Sequence, residues 1–112
     1  MIDFKDKYSL EERKEESLKI LRKHQRRIPI IVKTGPGMIL DKYKYIVPKE
    51  LTMGQFIYVL RKRMQLPPEK AIFIFIDGTL PLTSAFIESI YNKHMEEDGL
   101  LYFHLCGENT FG

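Results

Sequence analysis

The chain has 112 residues, of which 44% are hydrophobic and 29% are charged, a composition typical of a globular domain with one hydrophobic core. Its longest apolar run, Ala71–Ile76, is much shorter than the roughly 20 residues of a membrane-spanning helix, and the first residues lack the apolar segment of a signal peptide. The single cysteine, Cys106, excludes an intramolecular disulfide and fits a reducing compartment.

The positive charge is concentrated in the first part of the chain. Residues 1–70 hold 17 basic and 9 acidic residues, whereas residues 71–112 hold 1 basic and 6 acidic residues. One part of the surface is therefore expected to attract acidic peptides, anionic lipid or nucleic acid. The alternative is a solvated basic face that has no specific partner.

The first predicted helix covers residues 10–24. Ser9 and Glu12 have the spacing of a capping box, in which each side chain pairs with the backbone of the other. The stripe expected to face the protein contains Leu10, Ser17, Leu18 and Leu21. Ile20 lies about 100° from Leu21 on the charged side of the helix, so we expect this isoleucine to be exposed.

A β-hairpin is predicted next, in which Ile28–Lys33 pairs with Lys42–Val47. Both segments are rich in β-branched and aromatic residues, and the intervening TGPG is a turn signal. Pro29 has no N–H group, so its amide side must face a sheet edge, a bulge or the start of a strand.

A second helix is expected over the segment LTMGQFIYVLRKRMQL. Thr52 and Gln55 form another capping-box pair, and the face expected to enter the core contains Phe56, Val59 and Leu60. The segment LPPEK follows and ends the helix, because proline cannot continue it.

The C-terminal part is predicted to contain a strand, a helix and a final strand. The unbroken apolar run Ala71–Ile76 is typical of a strand buried on both faces in the centre of a sheet, and Asp77-Gly78 is a tight-turn signal. The helix after it is expected to direct Ile87, Ile90, Tyr91 and Met95 inward and to end with Gly99 as its C-cap. LLYFHLC is the last strand.

Taken in chain order, these elements place two hairpin-forming regions on either side of one helix, and a last strand returns to the sheet. This order predicts an α+β fold of the ubiquitin-like β-grasp type, ββαββαβ, with an N-terminal helical extension. No internal repeat or linker is found, so residues 1–112 are expected to form a single domain.

No catalytic constellation is found. His24 and His94 fall near predicted helix ends, where histidine commonly meets the helix dipole or solvent, and no histidine spacing matches a zinc site. Cys106 lies on a predicted strand and is interpreted as a buried, inert thiol. Glu96–Gly99 is interpreted as a helix terminus and not as a metal-binding loop. We therefore expect that the protein is not an enzyme and holds no metal.

A peptide-binding edge fits the pattern better than a nucleic-acid site. Arg22–Arg27 and Arg61–Arg63 are basic, but the aromatic residues fall at core positions and no recognition motif is present. Along KYKYIVP, Lys42, Lys44 and Ile46 face one side and Tyr43, Tyr45 and Val47 face the other. An added peptide strand would therefore meet two different pockets. The alternative is that the tyrosines and the valine only complete the core.

The chain closely resembles the ubiquitin-like autophagy modifiers of the GABARAP type in the segments FKDKYSLEERKEES, RIPIIVK, DKYKYIVPKELTMGQFIYVLRKRMQLPPEKAIFIFIDGTLP, IYNKHMEEDGLLY and GENTFG. Within them, VLRKR, LPPEKAIFIF and GENTFG are the most specific. The resemblance covers nearly the whole chain. It implies two helices in an N-terminal extension, 1–26, then a ubiquitin-like core, 27–106, and a flexible conjugation tail, 107–112.

The resemblance implies a modifier that other enzymes conjugate. The carboxylate of Gly112 would pass as a thioester from an activating to a conjugating enzyme and then form an amide with phosphatidylethanolamine on the autophagosome membrane. Thr110 and Phe111 would be recognised by these enzymes and by a processing cysteine protease. No other cofactor is implied. A cytoplasmic monomer with a lipidated pool on autophagosome and vacuole- or lysosome-related membranes is expected.

The resemblance also implies docking of aromatic-x-x-aliphatic motifs of cargo receptors and autophagy proteins beside the second strand. The aromatic pocket corresponds to Glu16, Ile20, Pro29, Ile31, Lys44, Ile46 and Leu100. The aliphatic pocket corresponds to Tyr45, Val47, Pro48, Leu51, Phe56 and Val59. Acids flanking the motif would be contacted by Arg27, Arg61 and Arg63. The alternative function is an unconjugated motif-binding adaptor in vesicle trafficking, which would not need the tail.

Some family members also bind helical motifs near the equivalents of Phe73, Ile74 and Phe75, where we favour a core role for most of the strand. Several positions depart from the family pattern. The hairpin loop KTGPGMIL is shorter than usual, which is expected to alter contacts with motif flanks or enzymes. Tyr43 replaces a basic residue, Ser9 a proline and Asp77-Gly78 an Asn-containing turn, all outside the two pockets.

Overall fold

The computed structural model describes residues 3–107 of the chain. Its helices are α1 (Phe4–Lys7), α2 (Leu10–Lys23), α3 (Met53–Met64) and α4 (Ile87–His94). Its strands are β1 (Arg27–Thr34), β2 (Lys44–Pro48), β3 (Ile72–Phe75) and β4 (Leu101–Gly107). The predicted N-terminal helix, hairpin, second helix and final strand are all present, with boundaries close to those expected.

The strands form one four-stranded mixed sheet in the order β2-β1-β4-β3. β1 runs antiparallel to β2 and parallel to β4, and β3 runs antiparallel to β4. On one side, called the inner face, the ring of Phe56 from α3 lies 5.5 Å from that of Tyr45 and 5.4 Å from that of Phe103. α2 packs against β1 on the opposite, outer face. This arrangement confirms the predicted ubiquitin-like α+β fold.

The main core fills the space between the inner face and α3. Because successive side chains of a strand point to opposite faces, it takes alternate residues from each strand. Its buried members are Ile28, Ile30, Val32, Tyr45, Val47, Met53, Phe56, Leu60, Ile72, Ile74, Ile76, Ile87, Ile90, Leu101, Phe103 and Leu105. Removal of these apolar side chains from water is the main favourable contribution to folding.

Both predicted capping boxes are present. Ser9 Oγ accepts the Glu12 N–H at 3.1 Å, and Glu12 Oε1 accepts the Ser9 N–H at 2.9 Å. Thr52 and Gln55 make the same pair of bonds at 3.2 and 2.9 Å. These bonds satisfy N–H groups that have no partner within the helix, and they determine where α2 and α3 begin.

Pro29 lies in a central strand without breaking a sheet hydrogen bond. The Val32 N–H donates to the Tyr43 carbonyl at 2.8 Å, so alternation along β1 directs the amide side of Pro29 toward β4. The ladder with β4 begins only at the pair Ile30–Leu101. Pro29 therefore precedes the first position at which β4 would need an N–H group, so of the three expected alternatives the structure agrees best with the start of a ladder.

The face that α2 turns toward the sheet is rotated from the predicted one, because Ser17 is buried as expected but Ile20 takes the place expected for Leu18. Ile20 is only 5% exposed, whereas Leu18 is 50% exposed. A Cβ atom added to Gly99 would lie 2.7 Å from Ser17 Oγ, so the backbone at Gly99 packs closely on this serine. The prediction of an exposed Ile20 is wrong because hydrophobic periodicity centres the buried stripe on the leucines, whereas close packing at Ser17 turns Ile20 inward.

Two more residues predicted to face the core are exposed. Val59 is 43% exposed at the margin of α3, although Phe56 and Leu60 are buried as expected. Met95 is 52% exposed because α4 has ended and the non-helical backbone of this residue, with ψ of 143°, turns its side chain away. Gly99 has a φ of +84°, but it lies in the turn before β4 and not at the C-cap of α4.

β3 is a terminal strand of the sheet and not a central one. Ile72 and Ile74 are buried on the inner face, whereas Phe73 and Phe75 are half-buried on the outer face. The unbroken apolar run therefore reflects an apolar outer face, and the central strands are β1 and β4. Of the three residues Phe73–Phe75, only Ile74 has the predicted core position.

The predicted tight turn follows β3. Asp77 and Gly78 have φ values of +50° and +77°, as a two-residue hairpin turn of this type requires. Ile76 pairs with Thr79 in an isolated bridge. In residues 3–107, the extended segment expected between β3 and α4 is thus reduced to this bridge and one between Thr52 and Phe86.

Candidate peptide-docking site

β2 forms one edge of the sheet and presents backbone groups to an added strand. The Tyr43 carbonyl accepts the Val32 N–H. By the alternation of an antiparallel ladder, Lys44 and Ile46 therefore direct their N–H and C=O groups away from β1. Arg27 Nη1 donates to the Ile46 carbonyl at 3.1 Å. The edge is therefore suited to pairing with an extended peptide, which would share that carbonyl with Arg27.

The residues assigned to the aromatic pocket meet on the outer face, beneath α2. Cross-strand pairing places Pro29 beside Ile46 and Ile31 beside Lys44. Three apolar members are almost fully covered, with exposures of 5% for Ile20, 3% for Ile31 and 0% for Leu100. The floor of this pocket is therefore closed, while Glu16, Lys44 and Ile46 at its rim are partly exposed.

An ion pair closes the rim of the aromatic pocket. Lys44 Nζ donates to Glu16 Oε1 at 2.7 Å, which connects β2 to α2. A groove of about 840 Å³ opens beside this pair and is also lined by Phe4, Tyr8 and Tyr43. The two charged side chains are 40% and 35% exposed, so separating them costs little. Glu16 and Lys44 therefore belong both to the rim of the pocket and to the lining of the groove.

The residues assigned to the aliphatic pocket lie on the inner-face side of β2 and on α3. Tyr45, Val47 and Phe56 belong to the main core, whereas Pro48, Leu51 and Val59 reach the surface. A shallow cavity of about 500 Å³ borders Leu51 and Val59, and its other lining residues belong to α3 and its N-cap and to the loop at Thr83 and Ser84. The aliphatic pocket therefore has a rigid floor shared with the core and outer members that are already exposed at least in part. The alternative core role holds for Tyr45 and Val47, but Tyr43 is 44% exposed.

Tyr45 carries a polar atom with no hydrogen-bond partner. Its hydroxyl is buried and unpaired among the described residues, and burial raises the pKa of Tyr45. Lys42 Nζ lies 5.1 Å from the centroid of the ring. A buried hydroxyl without a partner costs about 1–3 kcal/mol, so a bound group that offered an oxygen acceptor here would be favoured.

The three arginines assigned to acidic flanks do not form one patch. Arg27 lies beside the C-terminal end of β2. Arg63 binds both carboxylate oxygens of Asp41, at 2.8 and 3.2 Å, near the other end of that strand. Arg61 donates to the carbonyls of residues 67 and 68 and so stabilises the loop after α3. Arg27 and Arg63 are therefore placed at opposite ends of the docking edge.

A buried carboxylate, which sequence reasoning treats as part of a helix terminus, holds the wall of the aromatic pocket. Asp98 is 2% exposed and accepts hydrogen bonds from Arg13 Nη1 at 2.8 Å and from the Leu100 N–H at 2.9 Å. The Tyr102 hydroxyl donates to the same carboxylate, and Ser17 Oγ donates to the Asp98 carbonyl. These bonds tie α2 to the start of β4.

The Asp98 cluster also changes how its neighbours titrate. Burial, together with the hydrogen bond to Asp98, raises the pKa of Tyr102 well above its ordinary value. The pKa of Arg13 is raised by its hydrogen bond to Tyr102 and by Asp98. The only signal for this cluster in the sequence is an Asp-Gly pair after a helix, and such a pair predicts an ordinary turn as well as it predicts a buried carboxylate.

The other titratable candidates take the positions expected for structural residues. Cys106 is 4% exposed, and burial raises the pKa of its thiol, which disfavours the reactive thiolate. His24 is the C-cap of α2, and His94 ends α4 with its Nδ1 2.8 Å from Asp77 Oδ2. Over residues 3–107, no cluster of His, Cys, Asp and Glu could hold a metal ion.

The residues assigned to conjugation, Thr110, Phe111 and Gly112, lie outside the described residues 3–107. β4 ends at Gly107, which pairs with Ile72 at the start of β3. The chain therefore continues toward its C-terminal glycine from the corner of the sheet that is formed by the end of β4.

The comparison with protein families decides the family of the chain. A family model described as "Autophagy protein Atg8 ubiquitin like" matches residues 12–112. The chain belongs to the Atg8 family. Autophagy-related protein 8 of Schizosaccharomyces pombe is 54% identical over an alignment of 112 positions that covers 97% of this chain and 93% of that protein. The protein of the same name from Vanderwaltozyma polyspora is 52% identical, covering 97% of this chain and 95% of its own length.

A solved Atg8 structure has the same architecture. The crystal structure of Trypanosoma brucei ATG8 matches with a TM-score of 0.89 at 38% identity and covers 96% of each chain. As an Atg8 family member, the protein is a ubiquitin-like protein of autophagy, and its partners belong to that pathway. Among residues 3–107, no helix has the length and apolar character needed to span a bilayer.

Proposed function

We propose that this Atg8 protein is a lipid-conjugated modifier that docks motif-bearing cargo receptors and autophagy proteins at the β2 edge. The observation that supports docking is an edge strand with one pocket on each face of the sheet. The conjugation half of the proposal rests on family membership, since the matched family model includes Phe111 and Gly112. Between conjugation events the protein is proposed to be a cytoplasmic monomer.

The spacing of the proposed motif follows from the position of the two pockets. Side chains of a strand alternate between its faces, so residues three apart point to opposite faces. A strand paired with Lys44 and Ile46 would thus direct an aromatic residue to the outer face and the aliphatic residue three positions later to the inner face. The aromatic side chain would reach Ile20 and Ile31, and the aliphatic one would reach Leu51 and Val59.

The charges at the rim favour acidic residues beside the motif. When Lys44 parts from Glu16 to admit the aromatic side chain, its ammonium group needs a new partner, which an acid preceding the motif would supply. Arg27 is largely free to meet acids at the other end of the edge, since its guanidinium contacts a carbonyl and no carboxylate among the described residues. Arg63 would have to exchange Asp41 for a peptide acid.

The conjugation step requires an activated carboxyl group. We propose that an activating enzyme joins the Gly112 carboxylate to a nucleoside triphosphate with release of pyrophosphate, and that an enzyme's thiol then displaces the nucleotide to form a thioester. The amine of phosphatidylethanolamine attacks the carbonyl of this thioester. The amide bond then forms, the amine loses a proton and the enzyme's thiol leaves. Glycine fits a narrow enzyme channel because it has no Cβ. The same enzymes would recognise Thr110 and Phe111 next to it. The lipidated pool is proposed to lie on autophagosome and vacuole- or lysosome-related membranes.

Replacement of the terminal glycine tests the proposal in cells. Gly112→Ala should abolish lipid attachment, measured by mass spectrometry of the C-terminal peptide, and abolish membrane puncta. The matched control is Val59→Glu, which should keep the lipid and lose motif-bearing partners. Lipid attachment to Gly112→Ala would contradict the conjugation claim. Full cellular function after deletion of Phe111-Gly112 would instead favour an unconjugated adaptor in vesicle trafficking.

A further inference from the structure

The hairpin loop between β1 and β2 exposes an isoleucine side chain to solvent. Ile39 is 85% exposed, the largest fraction for a large hydrophobic side chain among residues 3–107. Its neighbours Met38 and Leu40 are partly buried and pack against the main core. The loop is therefore anchored on both sides of Ile39. Single exposed hydrophobic residues are common, so exposure alone does not indicate a role for Ile39. Its location in the fold has to be considered as well.

The loop is attached to the end of the last strand. The Gly35 N–H donates to the Leu105 carbonyl at 2.8 Å, and the Met38 N–H donates to the Gly35 carbonyl at 3.2 Å. Met38 Sδ lies 2.9 Å from the position that a Cβ on Gly107 would occupy. Ile39 therefore projects beside the corner of the sheet from which the chain continues toward Gly112.

The segments around this corner are basic. Residues 33–42 and 61–71 together hold six basic and two acidic residues. The ion pair between Arg63 and Asp41 brings the two segments together, and Lys33 is paired with Asp3. Four basic residues and one acid of these segments lie outside the two ion pairs. The segments that flank the exposed isoleucine therefore keep an excess of positive charge, which suits an anionic surface.

We propose that Ile39 inserts into the surface of the bilayer to which Gly112 is attached, while the neighbouring basic side chains contact anionic headgroups. This inference rests on the proposed conjugation. Five residues lead from Gly107 to Gly112 and span at most about 18 Å, so attachment keeps the loop close to the headgroups. Burial of the isoleucine side chain is favourable, and each Lys or Arg near an anionic leaflet adds attraction.

The proposed contact also orients the docking edge. β2 runs away from the loop, from Lys44 beside it to Pro48 at the far end. Contact of Ile39 with the bilayer would therefore leave Pro48 and Arg27 on the side that faces away from the membrane. Partners could reach the edge while the protein is attached.

The absence of tryptophan from the sequence allows a direct test. Ile39→Trp adds a single fluorescent reporter, and Gly112→Cys allows coupling to a maleimide-headgroup lipid while Cys106 is shielded by burial. The full chain is attached in this way to vesicles of phosphatidylcholine with phosphatidylserine, with or without brominated acyl chains that quench tryptophan. The matched control is Leu82→Trp, at a residue that is 75% exposed. Its loop lies at the N-terminal end of α3, where the Gly54 N–H donates to the Thr83 carbonyl, whereas Arg63, which pairs with Asp41 of the hairpin loop, lies at the C-terminal end.

The expected result is a blue shift and strong quenching for the tryptophan at position 39, reduced on vesicles that lack phosphatidylserine, with little change at position 82. No shift at position 39 would overturn the inference, as would equal quenching at both positions. A blue shift without quenching would also overturn it and indicate a protein contact, such as a second copy. Chemical attachment needs no conjugating enzyme, so these outcomes are independent of the Gly112→Ala test.

Discussion

The two pockets beside β2 differ in how far each is formed before a peptide binds. The aliphatic pocket is built on core residues, and its outer members Leu51 and Val59 are already exposed at least in part. The aromatic pocket lies beneath α2, with Ile20 and Ile31 almost fully buried. One pocket is therefore ready to accept a side chain, whereas the other must open.

This difference follows from what covers each face of the sheet. The inner face packs against α3 as part of the main core, and this packing cannot change without loss of the fold. The outer face is covered by α2, in which Arg13 and Ser17 are held by Asp98, and Glu16 between them forms the exposed pair with Lys44 beside the docking edge. We infer that the ion pair opens while the Asp98 cluster holds the helix, so that one pocket can adapt without unfolding.

The largest expected effect comes from removing the buried anchor of α2. Asp98→Ala leaves Arg13 and Tyr102 without their common partner, and breaking a buried ion pair in this way costs about 3–5 kcal/mol. Urea unfolding followed by circular dichroism measures the loss in free energy of unfolding. Glu97→Ala is the control, because this exposed neighbour should change stability by less than about 0.5 kcal/mol. Equal stability of the two variants would show that the cluster does not anchor α2.

The next effect concerns the surface residues of the two pockets. Val59→Ala and Ile46→Ala should each weaken binding of an acidic aromatic-x-x-aliphatic peptide by about 1–3 kcal/mol, measured by calorimetry. Both side chains are partly exposed, so urea unfolding should change far less than for a change at Tyr45 or Ile20, which are buried. Unchanged affinity in both variants would remove the pockets from the docking site.

The pH dependence of stability provides a second test of the Asp98 cluster. The pKa of Tyr102 is raised in the folded protein, so the folded state binds more protons than the unfolded state above about pH 10, the ordinary value for tyrosine. The free energy of unfolding should therefore fall as pH rises past 10. Tyr102→Phe should reduce this slope in urea titrations at pH 8 and pH 11. A slope that stayed the same would assign the dependence to Tyr45 and Tyr91, whose pKa values are also raised by burial.

The smallest effect belongs to the ion pair that closes the aromatic pocket. Glu16→Gln removes the partner of Lys44, so the peptide no longer has to separate the pair, and affinity should rise by about 0.2–1 kcal/mol. Calorimetry at low and high salt checks this, since screening should weaken binding of the acidic peptide in both proteins. A fall in affinity on replacing Glu16 would mean that the carboxylate contacts the peptide.

Local signals in the sequence predict the fold well because they act over few residues. The capping boxes at Ser9 and Thr52 locate the starts of α2 and α3, and the Asp77-Gly78 turn follows β3 as expected. Burial is harder to predict where tertiary packing decides it. The apolar run of β3 gives the same pattern for a central strand as for an edge strand with an apolar outer face.

The candidate site shows the same limit. Both pockets follow from the resemblance and from the alternation along β2, yet the closed state of one pocket does not, because the orientation of α2 depends on Ser17 and Asp98. Ser17 falls on the predicted stripe, but the pattern does not show that a backbone packs closely on it, and Asp98 does not stand out in a hydrophobic pattern. Their contacts join positions more than 80 residues apart, which no local signal encodes.

The most direct test of the account is an NMR titration of the isotope-labelled chain with an acidic aromatic-x-x-aliphatic peptide. We predict shifts in the backbone amides of Lys44 and Ile46 and in the methyl groups of Ile20 and Val59, with the amides around Asp98 little changed. Shifts confined to Phe73–Phe75 on the opposite edge of the sheet would contradict docking at β2.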